Sequence, residues 1–218
     1  MLFDLRGKRR RAVQVTYLSL AILMGAGLVF FGIGGSVSGG LLDAFKGNGS
    51  GGGNDAIEKR IDKEKKLAAA GNQAAIKDLV RDYYQLATTK TSSNATSFPE
   101  SAKGDLANSG RYWKRYLTVT KKPDSSLARV AVQVYDITAL NKPKDAQQAA
   151  QIIAETENDA SSYLALVQYA TLAHDTRTAD LAGIKAVDLA PKGQKKQVKL
   201  QVKQLKQAAS QPQVQQGG

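Results

Sequence analysis

The side chains that could carry out catalysis or bind a metal are few in this sequence. His174 is the only histidine and there is no cysteine, which excludes a histidine metal cluster and a Cys/His nucleophile pair. Glu155, Glu157 and Asp159 lie two and four residues apart, but they fall in a polar break, where carboxylates are usually solvated. The SxxK and GxSxG nucleophile contexts are both absent from the sequence. We therefore predict a protein with no catalytic residues, no metal and no cofactor.

Three glycines near residue 35 raise the question of a phosphate-binding loop. Gly32, Gly34 and Gly35 resemble the start of a dinucleotide fingerprint, but Val37 stands where the third glycine is required. A Gly-Lys-Ser/Thr sequence, which a P-loop needs, does not follow either. We therefore interpret these glycines as the end of an apolar segment rather than as a nucleotide site.

A basic cluster followed by a long apolar run opens the chain. Residues 13–33 contain no charged side chain and as a helix would span about 31 Å, close to the thickness of a bilayer. We therefore predict a transmembrane anchor over 13–35, preceded by a cytoplasmic basic segment over 1–12. The positive-inside rule then places the rest of the chain outside the cytoplasmic membrane. The cations that carry this topology are Arg6, Lys8, Arg9, Arg10 and Arg11.

A cleavable signal peptide is the competing interpretation of the same segment. Ser36 and Ser38, before Gly39, offer small residues at the two positions that a signal peptidase inspects. The apolar run, however, is longer than the roughly 7 to 15 residues that are usual for a signal core. The length favours a retained anchor, and the possibility of cleavage stays open.

The formal net charge of +12 is concentrated at the two ends of the chain. Residues 1–12 carry +4 and residues 192–218 carry +6, so the segment between them carries only +2. No aromatic residues alternate with the C-terminal lysines, which argues against a base-stacking surface and a nucleic-acid partner. Outside the membrane these lysines would meet an anionic envelope polymer or lipid, or would simply keep a helix solvated. They are Lys192, Lys195, Lys196, Lys199, Lys203 and Lys206.

Between two flexible segments lies one helical domain. Residues 36–54 are rich in glycine and predict a linker, and residues 209–218 predict a disordered tail. Residues 55–208 show helical spacing of apolar side chains almost throughout. The segment SLARVAVQVYDITAL, residues 126–140, is also predicted to be a helix despite its strand-like apolar density. The predicted fold class is therefore all-α, with one transmembrane helix followed by a helical domain.

The last helices of this domain recur in pairs. Ala146 and Ile153 recur as Ala179 and Ala186, with the same interval in both cases. This interval is close to the period of about 34 residues, with two helices per repeat, that is typical of tetratricopeptide repeats. Pro191 stands where such a repeat would close. We therefore predict a tetratricopeptide-like domain built from helical hairpins.

Counting back from this proline gives a partial match to the repeat motif. Tyr163 and Leu166 take the aromatic and leucine positions of the first helix. Three positions depart from the pattern, because Val167 replaces a small residue, Ala170 an aromatic residue and Gly183 a phenylalanine. Small side chains at such places let paired helices approach closely, so the matching residues are predicted to serve packing.

Four stretches of the chain together resemble small membrane-anchored, tetratricopeptide-like proteins of actinobacteria. They are FDLRGKRRRAVQVTYLSLAILMGAGLVFFGIGG, RYWKRYLTV, VQVYDITALNKPKDA and QYATLAHDTRTADLAGIKAVDLAPK. The resemblance covers most of the chain and implies a single-pass anchor with an extracytoplasmic helical-repeat domain. It implies no activity, and repeats of this class usually bind other proteins.

These observations predict a non-enzymatic, membrane-anchored scaffold or adaptor. Its helical domain would bind protein partners, either members of an envelope complex or newly exported chains. If the repeat alignment holds, the first helices of the last two pairs line a partner groove that contains Tyr135, Gln168 and Thr171. The alternative is a structural subunit of a membrane export or division assembly, in which the helical domain acts as a spacer.

Overall fold

The computed structural model describes residues 53–208, and the regular structure in this range is entirely helical. Eight α-helices and one short 3-10 helix, Lys192–Gln194, follow one another, which confirms the all-α prediction for this part of the chain. The α-helices are α1 (Gly53–Ala69), α2 (Gln73–Thr89), α3 (Glu100–Val119), α4 (Ser125–Tyr135), α5 (Pro143–Glu157), α6 (Ala160–Leu172), α7 (Thr176–Leu189) and α8 (Lys195–Ala208).

The predicted membrane anchor over 13–35 lies outside the described residues. The same is true of the basic segment over 1–12 with its five cations, most of the predicted linker over 36–54 and the tail over 209–218. Within residues 53–208, no helix combines the length and the apolar character needed to cross a bilayer. The membrane topology therefore stays a prediction from the sequence.

Polar side chains fix the starting points of four helices. In each case a side-chain oxygen accepts a hydrogen bond from a backbone N–H in the first helical turn, which satisfies a donor that the helix itself leaves unpaired. Gly71 precedes the first of these caps and adopts the left-handed conformation that ends α1, with φ +86°. The capping residues are Asn72, Asp124, Asp159 and Asp175, at the starts of α2, α4, α6 and α7.

The helices pack as successive hairpins. Direct contacts join the members of the pairs α1/α2, α2/α3, α4/α5, α5/α6 and α6/α7. Two helices also contact both members of the preceding hairpin. α4 packs on α2 and α3, and α8 packs on α6 and α7. Each of these two helices therefore buries surface against both members of the preceding hairpin.

A close approach of α3 to α4 shows how small residues set the helix spacing. Tyr135 is 2% exposed, and its hydroxyl donates a hydrogen bond of 2.9 Å to the backbone oxygen of Gly110. A Cβ atom on Gly110 would lie 2.9 Å from that hydroxyl oxygen and 3.0 Å from the ring. Glycine at this position therefore lets a buried tyrosine lie directly against α3.

The predicted helix over 126–140 is shorter than expected. α4 ends at Tyr135, and a turn follows over 136–140. Asp136 stabilises this turn, because its carboxylate accepts hydrogen bonds from the backbone N–H and the hydroxyl of Thr138. Asn141 then adopts φ +50°, and Pro143 begins the next helix. Side-chain capping of this kind competes with helical hydrogen bonding, which apolar periodicity alone does not reveal.

The last two hairpins are α4/α5 and α6/α7, and the sequence interval between their first helices differs from the interval between their second helices. Their second helices, α5 and α7, begin at Pro143 and Thr176 and bury matching positions, as in the pair Ala146 and Ala179. The first helices, α4 and α6, are separated by a longer interval and also bury matching positions, for example Leu127 and Ser162. The interval changes because the connection between α4 and α5 is longer than the connection between α6 and α7.

The capping carboxylates predict a loss of stability in acid. Burial favours the protonated form of Asp124, but hydrogen bonds from Lys77 and Ser126 outweigh it and hold the pKa of Asp124 well below its usual value of 3.8. A carboxylate with a lowered folded-state pKa stabilises the fold above its unfolded pKa, and this contribution is lost as the pH falls through the folded value. We therefore expect thermal stability to decline steeply from about pH 4 downwards.

Asp124→Asn tests this expectation, because asparagine keeps a capping oxygen but does not titrate. The variant should be less stable than the parent at pH 7 and should approach it as the pH falls towards 2, as followed by circular dichroism melting curves. The control is Asp188→Asn, at an exposed carboxylate of α7 that is outside the helix caps. Parallel curves for Asp124→Asn and the parent over this pH range would contradict the assignment.

Candidate binding groove

The structure separates the three residues that were predicted to line a partner groove. Tyr135 lies in the core against Gly110, so its side chain is not available to a partner. Gln168 is half-buried on α6, at the position that corresponds to Gln133 when the starts of α4 and α6 are aligned. Thr171 alone lines a surface groove.

This groove lies where the end of α6 and the start of α7 face α8. It encloses about 730 Å³, within the range of roughly 300–1,000 Å³ that is typical of ligand sites. One side is formed by the connection between α6 and α7, and the other by one face of α8. The lining residues are Thr171, His174, Thr176, Ala179, Lys199, Val202, Lys203, Lys206 and Gln207.

A tight contact with α7 holds α8 in place as the groove wall. A Cβ atom on Gly183 would lie 2.6 Å from Cγ1 of Val202 and 3.8 Å from Cγ2 of Val167. Val198 is buried in a cluster nearby, together with Ala186 and Ala190, and Val202 packs against this cluster. Glycine at position 183 therefore allows the backbone of α7 to approach the side chains of α8, and a larger residue would separate the two helices.

The opposite wall is fixed by hydrogen bonds around the α6–α7 connection. The hydroxyl of Thr171 donates to the backbone oxygen of Val167 at 2.7 Å, and the backbone N–H of His174 donates to the backbone oxygen of Thr171 at 3.0 Å. His174 is exposed and adopts φ +59°, the left-handed conformation that reverses the chain here. The wall is therefore held by hydrogen bonds to backbone oxygens, and His174 serves as a turn residue.

Asp175 completes this connection. Its carboxylate accepts hydrogen bonds from the backbone N–H and hydroxyl of Thr178 and from the side chain of Gln147 on α5. These hydrogen bonds, led by that from the backbone of Thr178, lower the pKa of Asp175 to about 2. The start of α7 is thereby joined to the preceding hairpin, which gives the groove a fixed edge.

The groove is strongly basic on its α8 side. α8 carries five lysines and no acidic residue, and three of these lysines line the groove. Lys206 forms an ion pair with Asp180 of α7, whereas Lys199 and Lys203 form no ion pair with the residues that the structure describes. The other C-terminal lysines, Lys192, Lys195 and Lys196, do not line it.

The three closely spaced carboxylates of the sequence analysis make contacts within the helical domain. Glu155 accepts a hydrogen bond from Gln151, Glu157 pairs with Arg129 of α4, and Asp159 caps α6. Over residues 53–208 no cluster of three histidine, cysteine or acidic side chains is placed to hold a metal ion. These three carboxylates are therefore engaged in contacts within the helical domain.

The residues that were predicted to serve repeat packing lie around the same hairpin. Leu166, Ala179 and Ala186 are buried, and Tyr163 is half-buried against the cluster that holds α8. Pro191 is exposed and separates the end of α7 from the 3-10 helix. These residues therefore lie close to the groove, although Ala179 alone among them lines it.

Comparison with known proteins does not extend this description. No family model matches the chain, and no curated protein or solved structure shows significant similarity to it. The sequence pattern indicated the C-terminal lysines but not which of them would line a groove. The spacing of Lys199, Lys203 and Lys206 contained part of that information, since residues three and four apart lie on one side of a helix.

Proposed function

We propose that this protein is a membrane-anchored adaptor that binds a protein partner through its helical domain. In this proposal residues 13–35 form a single transmembrane helix, the N-terminus is cytoplasmic, and the helical domain lies on the other side of the membrane. The basic cluster before the apolar run supports this orientation. The domain would then meet envelope proteins or newly exported chains.

The groove between α6, α7 and α8 is the observation that carries the proposal. It is concave, and its lining combines two apolar residues, Ala179 and Val202, with polar and basic side chains. Binding sites commonly combine these features, because apolar surface supplies affinity and a few polar groups supply orientation. A partner segment in this groove would contact α6, α7 and the terminal helix α8 at once.

The stacking of the hairpins supports a tetratricopeptide-like arrangement. α4 packs on the hairpin α2/α3, and α8 packs on the hairpin α6/α7. The second helices of the last two hairpins, α5 and α7, bury matching positions at an interval close to one repeat. Repeats that stack in this way form extended concave surfaces for protein binding, which is the role that we assign to the domain.

Site-specific photo-crosslinking tests the adaptor proposal in living cells. A photoreactive amino acid at Gln207, which lines the groove, should crosslink the full-length chain to a discrete protein in the membrane fraction. The matched control is Gln197, which is also exposed on α8 but does not line the groove. Mass spectrometry would identify the product.

Two results would contradict the adaptor proposal. One is the same set of products from Gln207 and Gln197, which would indicate contact without a specific surface. The other is the absence of any crosslinked protein from Gln207 when the chain is present at its natural level in the membrane.

A further inference from the structure

Resting on the adaptor proposal, we infer that the groove binds an extended, acidic segment of the partner protein, with carboxylates on Lys199 and Lys203. The class of ligand follows from the charge, spacing and shape of the groove wall. The occupant is an alternating sequence in which acidic side chains face α8 and the intervening side chains face the opposite wall, at Thr171 and Thr176.

Charge complementarity is the first reason for this assignment. The wall formed by α8 presents lysines and no acidic side chain. Lys199 and Lys203 are exposed and are not engaged in ion pairs with the described part of the chain. Two ammonium groups held on one helix face repel each other, and an anionic partner removes that repulsion.

The spacing of the lysines is the second reason. Residues four apart on a helix are separated by about 6 Å along its axis. Alternate side chains of an extended chain point the same way and lie about 6.6–6.8 Å apart. An extended segment running along α8 can therefore place two acidic side chains, two residues apart in its sequence, on Lys199 and Lys203.

The shape of the groove favours a peptide over a membrane surface as the ligand. A layer of anionic lipid headgroups is flat, whereas Lys199 and Lys203 line a concavity. The other wall of that concavity presents the side chains of Thr171 and Thr176. A peptide can fill this space with its own side chains, and a lipid headgroup layer cannot.

Fluorescence anisotropy with defined peptides tests the inference. The full-length chain is placed in phosphatidylcholine nanodiscs and titrated with a fluorescein-labelled peptide of alternating glutamate and valine, since valine favours an extended chain. A peptide of the same length with glutamine in place of glutamate measures the part of binding that does not depend on charge. We expect the glutamate peptide to bind at least fivefold more tightly, and the difference to shrink as salt is added.

A pair of charge-matched variants locates the binding site. Lys199→Gln/Lys203→Gln removes two groove lysines, and Lys192→Gln/Lys196→Gln removes two exposed lysines that do not line the groove. The groove variant should bind the glutamate peptide about five- to tenfold more weakly than the parent, because two ion pairs are lost. The control variant should stay within twofold. Circular dichroism melting curves confirm that both variants fold.

Several outcomes would overturn the inference. Equal losses in both variants would indicate a diffuse charge effect, and equal binding of the two peptides would indicate an apolar site. If the groove variant loses binding to phosphatidylglycerol vesicles while the parent binds no glutamate peptide, the ligand is a lipid surface. If no peptide binds but Gln207 still crosslinks a partner, the adaptor proposal stands and the acidic segment does not. If no peptide binds and Gln207 crosslinks no partner, both proposals are wrong.

Discussion

Gly183→Ala is expected to destabilise the protein by about 1–2 kcal/mol and to loosen α8, because it overpacks the contact between two helices. The new Cβ atom would lie 2.6 Å from Cγ1 of Val202, well inside normal contact distance. Valine in a helix has one strongly preferred rotamer, so Val202 cannot easily turn away. Overpacking of this kind typically costs about 1–3 kcal/mol, which exceeds the gain of up to about 1 kcal/mol from replacing a helical glycine by alanine.

The same substitution at Gly104 provides a matched control. Gly104 also lies within a helix, α3, but a Cβ atom there would meet no atom within 4 Å. Gly104→Ala should therefore stabilise the protein by about 0.5–1 kcal/mol through helix propensity alone. Urea unfolding of the full-length chain in detergent micelles would measure both values.

A double variant identifies the contact that causes the effect. In a Val202→Ala background the clash with position 183 is absent, so Gly183→Ala should become neutral or stabilising. The predicted coupling between the two sites is about 2 kcal/mol. The same destabilisation in both backgrounds would show that the close packing of α7 on α8 is not the reason for glycine at position 183.

Trp113→Ala is expected to destabilise the protein even more than Gly183→Ala. Trp113 is 2% exposed on α3, and its ring lies 5.8 Å from the ring of Tyr116. Removing a buried tryptophan leaves a cavity and typically costs about 3–5 kcal/mol. In a domain of this size the melting temperature should fall by about 10 °C or more.

Ile184→Ala is the control for the loss of Trp113. Ile184 is a large apolar residue that is 61% exposed on α7, so its truncation should change the stability by less than about 0.5 kcal/mol. Thermal melting followed by circular dichroism would compare the two variants. A small effect of Trp113→Ala would contradict the placement of this side chain in the interior.

Apolar periodicity was sufficient to predict that the domain is helical. Ile76, Leu79 and Val80 are buried on α2 as their spacing indicated. Periodicity was insufficient for α4, because the Asp136 side chain ends the helix through local hydrogen bonds. Because of the longer connection, Gln133 of α4 corresponds to Gln168 of α6, and Tyr135, which was predicted to line a groove, belongs to the core.

The positions that depart from the repeat motif could not be explained from the sequence. The structure explains one of them. Gly183 stands where the motif has a phenylalanine, and the space beside its Cα atom is occupied by Val202 of α8. A contact between residues 183 and 202 depends on how the last helix docks, which no local pattern encodes. Likewise, the number of C-terminal lysines was evident from the sequence. Which face of α8 lines a groove could be found only once the position of α7 was known.

The way α8 docks has a consequence for how the groove would bind. Val198 is the one buried residue that α8 contributes, so separating α8 from α6 and α7 requires less free energy than unfolding the stack. The groove exists only in the docked population, and a ligand that requires it stabilises that population by mass action. The apparent affinity then contains the docking equilibrium as a factor. Residues such as Gly183 would therefore tune the affinity for a partner that they never touch.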